Sequence, residues 1–201
     1  MHAPTPEQAA AVDEVELARA REYSLLATLL MSSPDTEMLR RLAELRGDDS
    51  PVGLAHAALA KAAARTDAGI TAREHFALFV GLGRGELMPY ASHYLTGFLH
   101  GRPLANLRQT LRRIGIERVE TQSEPEDHAA VLLEIMAGLA SGDIAAPPGT
   151  DREIFDNYIA PWMARFFSDL EKSASDFYAV VGTLGRTFTE IESQAFLLPN
   201  L

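Results

Sequence analysis

Helix-start signals recur at short intervals along this chain, each ahead of a segment with apolar residues at three- and four-residue steps. The signals are Thr5-Pro6, Ser33-Pro34, Ser50-Pro51, Thr71–Glu74, Ser123–Glu126 and Thr150–Glu153. A Ser or Thr hydroxyl accepts a hydrogen bond from a free first-turn amide. A proline in the first turn sacrifices no helical hydrogen bond, because the amide that it lacks would have no partner there. No run of useful length alternates β-branched with polar residues. The sequence therefore predicts an all-α fold, a bundle of about eight to ten helices.

Two segments rich in glycine and proline interrupt this pattern. Residues 81–103 hold five glycines and two prolines, too many for one helix, and predict a loop, a short helical piece and a turn. A second break is Ala145–Gly149. The regions 82–103 and 142–150 are candidate subdomain seams or swap hinges, although simple loops are the favoured interpretation. We expect one helical domain over 1–201, with any seam or hinge near 142–150.

The composition excludes several classes of function. The chain has 18 Lys and Arg against 28 Asp and Glu, a formal charge of −10, which repels nucleic acid and anionic membrane surfaces. The absence of cysteine excludes disulfides, thiolate metal sites and a cysteine nucleophile. The N-terminus lacks the basic start and apolar run of a secretory signal, and no segment resembles a membrane span. We expect a soluble, cytoplasmic protein.

The stretch 123–134, SEPEDHAAVLLE, concentrates acids just before an apolar segment. One interpretation is structural: Ser123 and Glu126 form a capping box, and Pro125 sits in the first turn. The following residues are apolar nearly all round, which indicates a central buried helix. His128 is the residue that this interpretation explains least, because a cationic imidazole is disfavoured at a helix N-terminus.

Two chemical interpretations compete for the same stretch. Asp127 and His128 offer an acid/base pair, although adjacent helical residues point about 100° apart. Glu124, Asp127, His128 and Glu134 offer metal ligands, but without an H-E-x-x-H or paired Glu-x-x-His pattern. No nucleophile signature accompanies them. The alternative left open is a helical metal-binding protein or hydrolase centred on these four residues.

Two blocks in a fixed order resemble a known family. Pro89-Tyr90-Ala91-Ser92-His93-Tyr94 precedes Glu124-Pro125-Glu126-Asp127-His128, with a basic helix between them. Further on, YIAPWMARFFSDL and DFYAVV are similar to two later helices of that family. The resemblance, over about residues 15–195, is to the TorD/DmsD family of redox-enzyme maturation chaperones.

The resemblance implies an all-helical, cytoplasmic and non-catalytic protein, with neither a cofactor nor a metal. The implied partner is the twin-arginine signal peptide, or the apo form, of a molybdopterin oxidoreductase, which the chaperone holds back from export until its cofactor is inserted. Family members form monomers or domain-swapped homodimers, and some have been linked to guanine nucleotides. The chain has no P-loop, so no nucleotide is expected.

The resemblance and the residue types together suggest a binding site. Carboxylates accept arginine in a bidentate fork that lysine cannot copy, and an apolar groove suits the segment that follows the arginines. The candidate residues are Tyr90, Ser92, Tyr94, Glu124, Pro125, Asp127 and His128. Core packing is the competing interpretation for the two tyrosines, and the favoured one for Phe79, Trp162, Phe166 and Phe167. A generic helical adaptor would bind peptides without preferring Arg-Arg to Lys-Lys.

Overall fold

A computed structural model describes residues 6–116 and 124–198, with side chains from residue 14 onward. This part of the chain contains ten α-helices and no β-strand, which confirms the predicted fold class. The helices are α1 Pro6–Met31, α2 Thr36–Ala43, α3 Pro51–Ala63, α4 Ala68–His75, α5 Ala91–Thr96, α6 Gly101–Arg113, α7 Ala129–Ser141, α8 Thr150–Ile154, α9 Met163–Glu171 and α10 Asp176–Leu197. Five-residue π-helical segments, Phe76–Val80 and Phe155–Ile159, continue α4 and α8.

The core is built around α7, α9 and α10. Helix α7 is buried on nearly every side, as its continuous apolar sequence predicts, and it packs along α1. Helix α10 packs against α9 and α3. The aromatic side chains predicted to be core, Trp162, Phe166 and Phe167, are buried, while Phe79 is partly buried against the same core.

Two glycines let α10 approach α9 closely. A Cβ at Gly185 would lie 2.2 Å from the ring of Phe167, and one at Gly182 would lie 2.4 Å from the backbone nitrogen of Glu171. Real Cβ contacts are not this short, so each position requires glycine. The two glycines therefore permit close packing of α10 on α9.

A buried ion pair ties α1 to α10. Arg19 donates from Nε and Nη2 to the Glu192 carboxylate, at 3.0 and 2.8 Å, and the Tyr23 hydroxyl donates to the same group at 2.5 Å. Glu192 is buried, so these donors supply the compensation that a buried carboxylate needs.

Several helices begin at other residues than predicted. The Ser50-Pro51 start of α3 is confirmed, with the Ser50 hydroxyl accepting from the amide of Gly53. By contrast, Asp35 caps α2 and Asp67 caps α4, so the predicted starts at Ser33-Pro34 and at Thr71 are wrong. Asp35 accepts the amide of Met38, and Asp67 accepts the amides of Gly69 and Ile70, so each Asp satisfies free first-turn amides of the helix that forms. Thr150 likewise follows its cap, Gly149, rather than being the cap.

The predicted start of α7 is also wrong. The helix begins at Ala129, and its cap is His128 rather than Ser123, which lies outside the described residues. Pro125 and Glu126 precede the helix in a turn. The capping-box interpretation fails because the residues before Ala129 are held by the 89–92 segment, a contact that local sequence cannot reveal.

The interrupted middle of the chain is as predicted. A loop follows the first π-helical segment, α5 is a short helix, and a turn at 97–100 leads into α6. Pro161 lies in the break between the second π-helical segment and α9. The single domain over 1–201 and the hinge near 142–150 remain predictions. No described helix is long and apolar enough to cross a bilayer.

Replacing Gly185 with alanine should lower the free energy of unfolding by about 1–3 kcal/mol. Alanine alone favours a helix over glycine by about 1 kcal/mol, so the sign of the change reports the contact with Phe167. Denaturant unfolding measures it. Adding Phe167→Leu should cost less in the Gly185→Ala background than in the parent. A stabilised Gly185→Ala protein would contradict the close approach of α9 and α10.

Candidate functional site

Two distant segments cross at the residues that the sequence singled out. The amide of Ala129 donates to the carbonyl of Pro89 at 2.7 Å, and the amide of Ala91 donates to the carbonyl of Asp127 at 2.9 Å. These bonds pair Tyr90 with His128 in an isolated antiparallel bridge. We call this crossing of residues 89–92 with residues 127–129 the junction. It fixes the start of α5 against the start of α7.

Asp127 holds the junction from inside. Asp127 is only 1% exposed. Its Oδ2 accepts a hydrogen bond of 3.0 Å from the amide of Ser92, in the first turn of α5. Its Oδ1 is buried and has no hydrogen-bond partner in the described part of the chain. Asp127 therefore does not face solvent, and in this conformation it cannot contact a peptide directly. The structure gives it a role in positioning α5.

His128 caps α7 as a neutral imidazole. Its Nδ1 accepts the amide of Ala130 at 3.1 Å, which places the ring proton on Nε2. Burial lowers the pKa of His128 to about 4, although the nearby carboxylates of Glu124 and Asp127 act in the opposite direction. The objection to a cation at a helix N-terminus therefore does not apply, because the ring is an uncharged acceptor.

Ser92 is buried as well, and it fixes the turn after α5. Its hydroxyl oxygen accepts the amide of His100 at 3.0 Å. His100 adopts a left-handed backbone, with φ of 67°, which is uncommon for a residue other than glycine. Ser92 thus stabilises a strained turn and is closed to solvent.

Tyr90, Glu124 and Pro125 form the partly exposed rim of the junction. The Tyr90 hydroxyl donates to the Glu124 carboxylate at 2.7 Å, and the Tyr90 ring meets the His128 ring edge-on, with centroids 5.0 Å apart. Burial, and then the Glu124 carboxylate, raise the pKa of Tyr90. Glu124 is therefore a carboxylate that is oriented by a phenol and still reaches solvent.

Tyr94 packs on α9. Its hydroxyl donates to Asp169 at 3.2 Å, its ring contacts those of Trp162 and Phe166, and the Arg165 guanidinium lies 5.6 Å from its centroid. Tyr94 is half-buried. The predicted alternative for this residue, core packing with a tethered hydroxyl, describes these contacts.

Glu126 has a partner that sequence reasoning missed. Instead of reaching back to a cap amide, it binds Arg108 of α6, whose Nε and Nη2 donate at 2.9 and 2.8 Å. Glu126 is buried, so this pair anchors α6 beside the junction. The sequence signal was the basic helix between the two blocks, which was noted but not paired with an acid.

Large apolar side chains are exposed on both sides of the junction in the chain. They occur in and after the first π-helical segment, and again in and directly after α5: Phe76, Val80, Leu82, Leu95, Phe98 and Leu99. Leu82 is 98% exposed and Phe98 is 77% exposed. All six come from residues 76–99, and contiguous exposed apolar patches are typical of binding surfaces. Sequence reasoning missed them because it named only Phe79 in the first part of this region, as core, and interpreted residues 81–103 as a loop, a short helical piece and a turn.

Comparison with known proteins identifies the family. A family model described as nitrate reductase delta subunit matches residues 45–168, more than half of the chain. The chain belongs to this family. The match spans both blocks of the junction and the helix that connects them.

Relatives within the family carry the names that the resemblance suggested, so the TorD/DmsD likeness is confirmed. The chaperone protein TorD of Aliivibrio fischeri is 26% identical over 198 residues, covering 87% of this chain and 92% of the relative. The Tat proofreading chaperone DmsD of Salmonella typhimurium is 30% identical over 124 residues, 60% of this chain and 59% of the relative. The match to TorD of Vibrio cholerae, at 29% identity, spans only 44% of each chain.

A solved structure has the same fold. A redox enzyme maturation protein from Archaeoglobus fulgidus superposes with a TM-score of 0.59 at 19% identity, over 87% of this chain and 93% of that one. At this identity, the likeness shows the fold alone.

The geometry does not favour the metal or hydrolase alternative for this member of the family. Asp127 and His128 each accept a different backbone amide, from Ser92 and Ala130. Glu134 instead lines a groove between α7 and α1. No group of three His, Asp or Glu among the described residues is arranged to hold a metal ion.

The buried His128 should make the protein less stable in acid. Its pKa is about 4 in the folded state and about 6.5 when unfolded, so the unfolded chain binds more protons as the pH falls through this window. Stability is fully present above pH 6.5 and should drop by about 1.5–2 kcal/mol at pH 5 from this residue alone. His128→Asn keeps a capping oxygen but does not titrate, so its unfolding free energy should fall less between pH 7 and pH 5.

The control is His93→Asn, which removes a half-buried histidine next to Tyr94. Denaturant unfolding at pH 7, 6 and 5 compares the three proteins, with all other titrating groups in common. The same pH dependence in the parent and in His128→Asn would show that His128 is not held neutral by burial.

Proposed function

We propose that this protein is a cytoplasmic maturation chaperone for a molybdopterin oxidoreductase. It binds the twin-arginine signal peptide or the apo form of that enzyme, assists cofactor insertion and delays export, without catalysing a reaction itself. Two facts support the proposal: membership in the nitrate reductase delta subunit family over residues 45–168, and relatives that are named as the chaperones TorD and DmsD.

The structural observation that supports the proposal is the set of exposed apolar side chains before and after the junction. Folding alone gives no reason to leave Leu82 and Phe98 in solvent, because each exposed large side chain forgoes roughly 1.5–3 kcal/mol of burial. A chaperone that recognises a client before its cofactor is inserted needs such a surface for the apolar regions of the client. In sequence, these side chains flank residues 89–92 of the junction, which buried hydrogen bonds hold in place.

The seven predicted site residues divide into two groups. Tyr90, Glu124 and Pro125 are partly exposed, and Glu124 offers a carboxylate that a guanidinium can approach in bidentate geometry. Tyr94, half-buried against α9, borders the exposed 95–99 segment. The buried residues Ser92, Asp127 and His128 support these contacts by fixing α5 against α7.

The overall charge suits a cationic peptide. A formal charge of −10 attracts a signal peptide that carries two arginines, and it accelerates their encounter more than it tightens the final complex. The guanidinium group is more specific than charge alone, since arginine presents a planar fork and lysine a point charge.

A peptide titration by calorimetry tests the proposal. A synthetic peptide with Arg-Arg ahead of an apolar segment should bind about tenfold more tightly than the same peptide with Lys-Lys. Glu124→Gln keeps an oxygen that accepts from the Tyr90 hydroxyl but removes the charge. It should therefore weaken binding of the Arg-Arg peptide and reduce the difference in affinity between the Arg-Arg and Lys-Lys peptides. The matched control, Glu190→Gln, removes one exposed charge from α10.

The salt dependence of the affinity distinguishes electrostatic attraction from apolar contacts in peptide binding. The affinity for the Arg-Arg peptide should fall between roughly 0.01 M and 0.15 M salt, as the screening length shortens from about 30 to about 8 Å. Affinity that does not change with salt would point to apolar contacts alone. Equal affinity for Arg-Arg and Lys-Lys would contradict signal-peptide recognition and favour a generic helical adaptor.

A further inference from the structure

A groove runs along α1 and α7, and one of its lining residues, Ala130, lies two residues after His128 of the junction. It consists of one cavity of about 550 Å³ and a second of about 220 Å³, which share Ser24, Thr28 and Glu134 in their walls. Because the two cavities have these residues in common, they form one continuous groove. We call it the α1–α7 groove.

The groove is shaped like a seat for one more helix. On α1 its wall extends from Leu17 to Met31, a length of about 21 Å, or four helical turns. Small residues of both helices form much of the floor: Ala20, Ala27, Ala130, Ala137 and Gly138. Small side chains let a third helix approach closely, and helix-in-groove binding is a common mode of peptide recognition.

The rim of the groove is apolar. Leu17, Leu25 and Met38 border the larger cavity, and Met31 borders the smaller one. Leu17 and Met31 are 44% and 37% exposed. Unbranched, polarizable methionine adapts to varied apolar partners, as surfaces that accept different sequences require.

The charges of the groove specify a cationic occupant. Arg21 and Asp143 both line the larger cavity and offset one another, which leaves Glu134 in the middle of the groove. Glu134 is exposed and forms no ion pair with another described residue. A carboxylate without an intramolecular ion pair is free to accept a guanidinium in a charge-assisted, bidentate pair.

The groove also leads away from the junction. Its smaller cavity is lined by Ala130, two residues after His128, and the larger cavity lies toward Ser141 at the other end of α7. A peptide whose arginines lie near the junction can therefore continue along α7 with its apolar segment in the larger cavity.

We propose that the α1–α7 groove binds the apolar segment of the client's signal peptide as a helix, with Glu134 accepting one of the two guanidinium groups. This inference rests on the proposed function and gives its ligand a place. Glu124 at the junction rim is the acceptor for the other arginine. The exposed apolar side chains of the 76–99 region are then available to the body of the apo enzyme.

Blocking the groove tests the assignment. Ser24 is exposed on the groove wall, so Ser24→Trp fills the groove without entering the core. This variant should bind an Arg-Arg peptide that carries about twelve Leu and Ala residues at least tenfold more weakly than the parent does. The control, Ala64→Trp, places the same side chain at an exposed site at the end of α3 and should bind as the parent does. Glu134→Gln should weaken binding about threefold to tenfold, and Glu190→Gln should not.

A label locates the peptide independently of these variants. The chain contains no cysteine, so Ser24→Cys and Asp49→Cys each carry a single environment-sensitive fluorophore. The same peptide should shift the emission of the label at Ser24→Cys to shorter wavelength, and the label at Asp49→Cys should not respond. An Arg-Arg peptide without the apolar segment should leave both labels unchanged.

The outcomes separate the inference from the proposed function. If the peptide binds the parent with a preference for Arg-Arg, but Ser24→Trp binds equally well and the Ser24→Cys label is silent, the groove assignment is overturned and the chaperone function stands. If the parent binds no twin-arginine peptide at all, both are overturned.

Discussion

The junction is the constraint on which the arrangement of the middle of the chain depends. Residues 89–92 and 127–129 exchange two backbone hydrogen bonds, and the Asp127 carboxylate adds a third at the start of α5. These segments are separated by more than thirty residues that include α5 and α6. This crossing fixes the start of the short helix α5, and such support is needed because six residues cannot maintain a helix by themselves.

The polar residues at the junction are buried because they do structural work there. A buried carboxylate or imidazole is stabilised only where hydrogen bonds compensate for lost hydration. Asp127 and His128 each accept a hydrogen bond from a backbone amide, and Glu126 forms an ion pair with Arg108. The same set of contacts keeps Glu124 and Tyr90 at the rim. The residues that support the site and those proposed to touch the client are thus neighbours in sequence but differ in exposure.

The surfaces suited to binding lie around this support. They are the exposed apolar side chains before and after the junction and the α1–α7 groove. Each includes large apolar side chains that are exposed, such as Leu82, Phe98 and Leu17. A client that presents arginines followed by an apolar segment and then an unfinished enzyme would find complementary chemistry at each.

The helices were predictable because their signals are local. Apolar periodicity and the Ser50-Pro51 start depend on residues within one or two turns, and the continuous apolar run of α7 indicated its central place. The start of α7 was not predictable, because it depends on Pro89 and Ser92, far away in sequence. The same holds for the pairing of Glu126 with Arg108. The candidate site residues were predicted through a resemblance to a family, but their division into buried and exposed groups required the fold.

The most direct test of this account is a joint measurement on Asp127→Asn. Asparagine retains an oxygen for the Ser92 amide but loses the charge, so the free energy of unfolding should fall by about 1 kcal/mol. The affinity of the folded protein for an Arg-Arg peptide should stay within about twofold, since the side chain does not reach solvent. Unchanged stability together with a large loss of affinity would contradict the account and make Asp127 a direct contact.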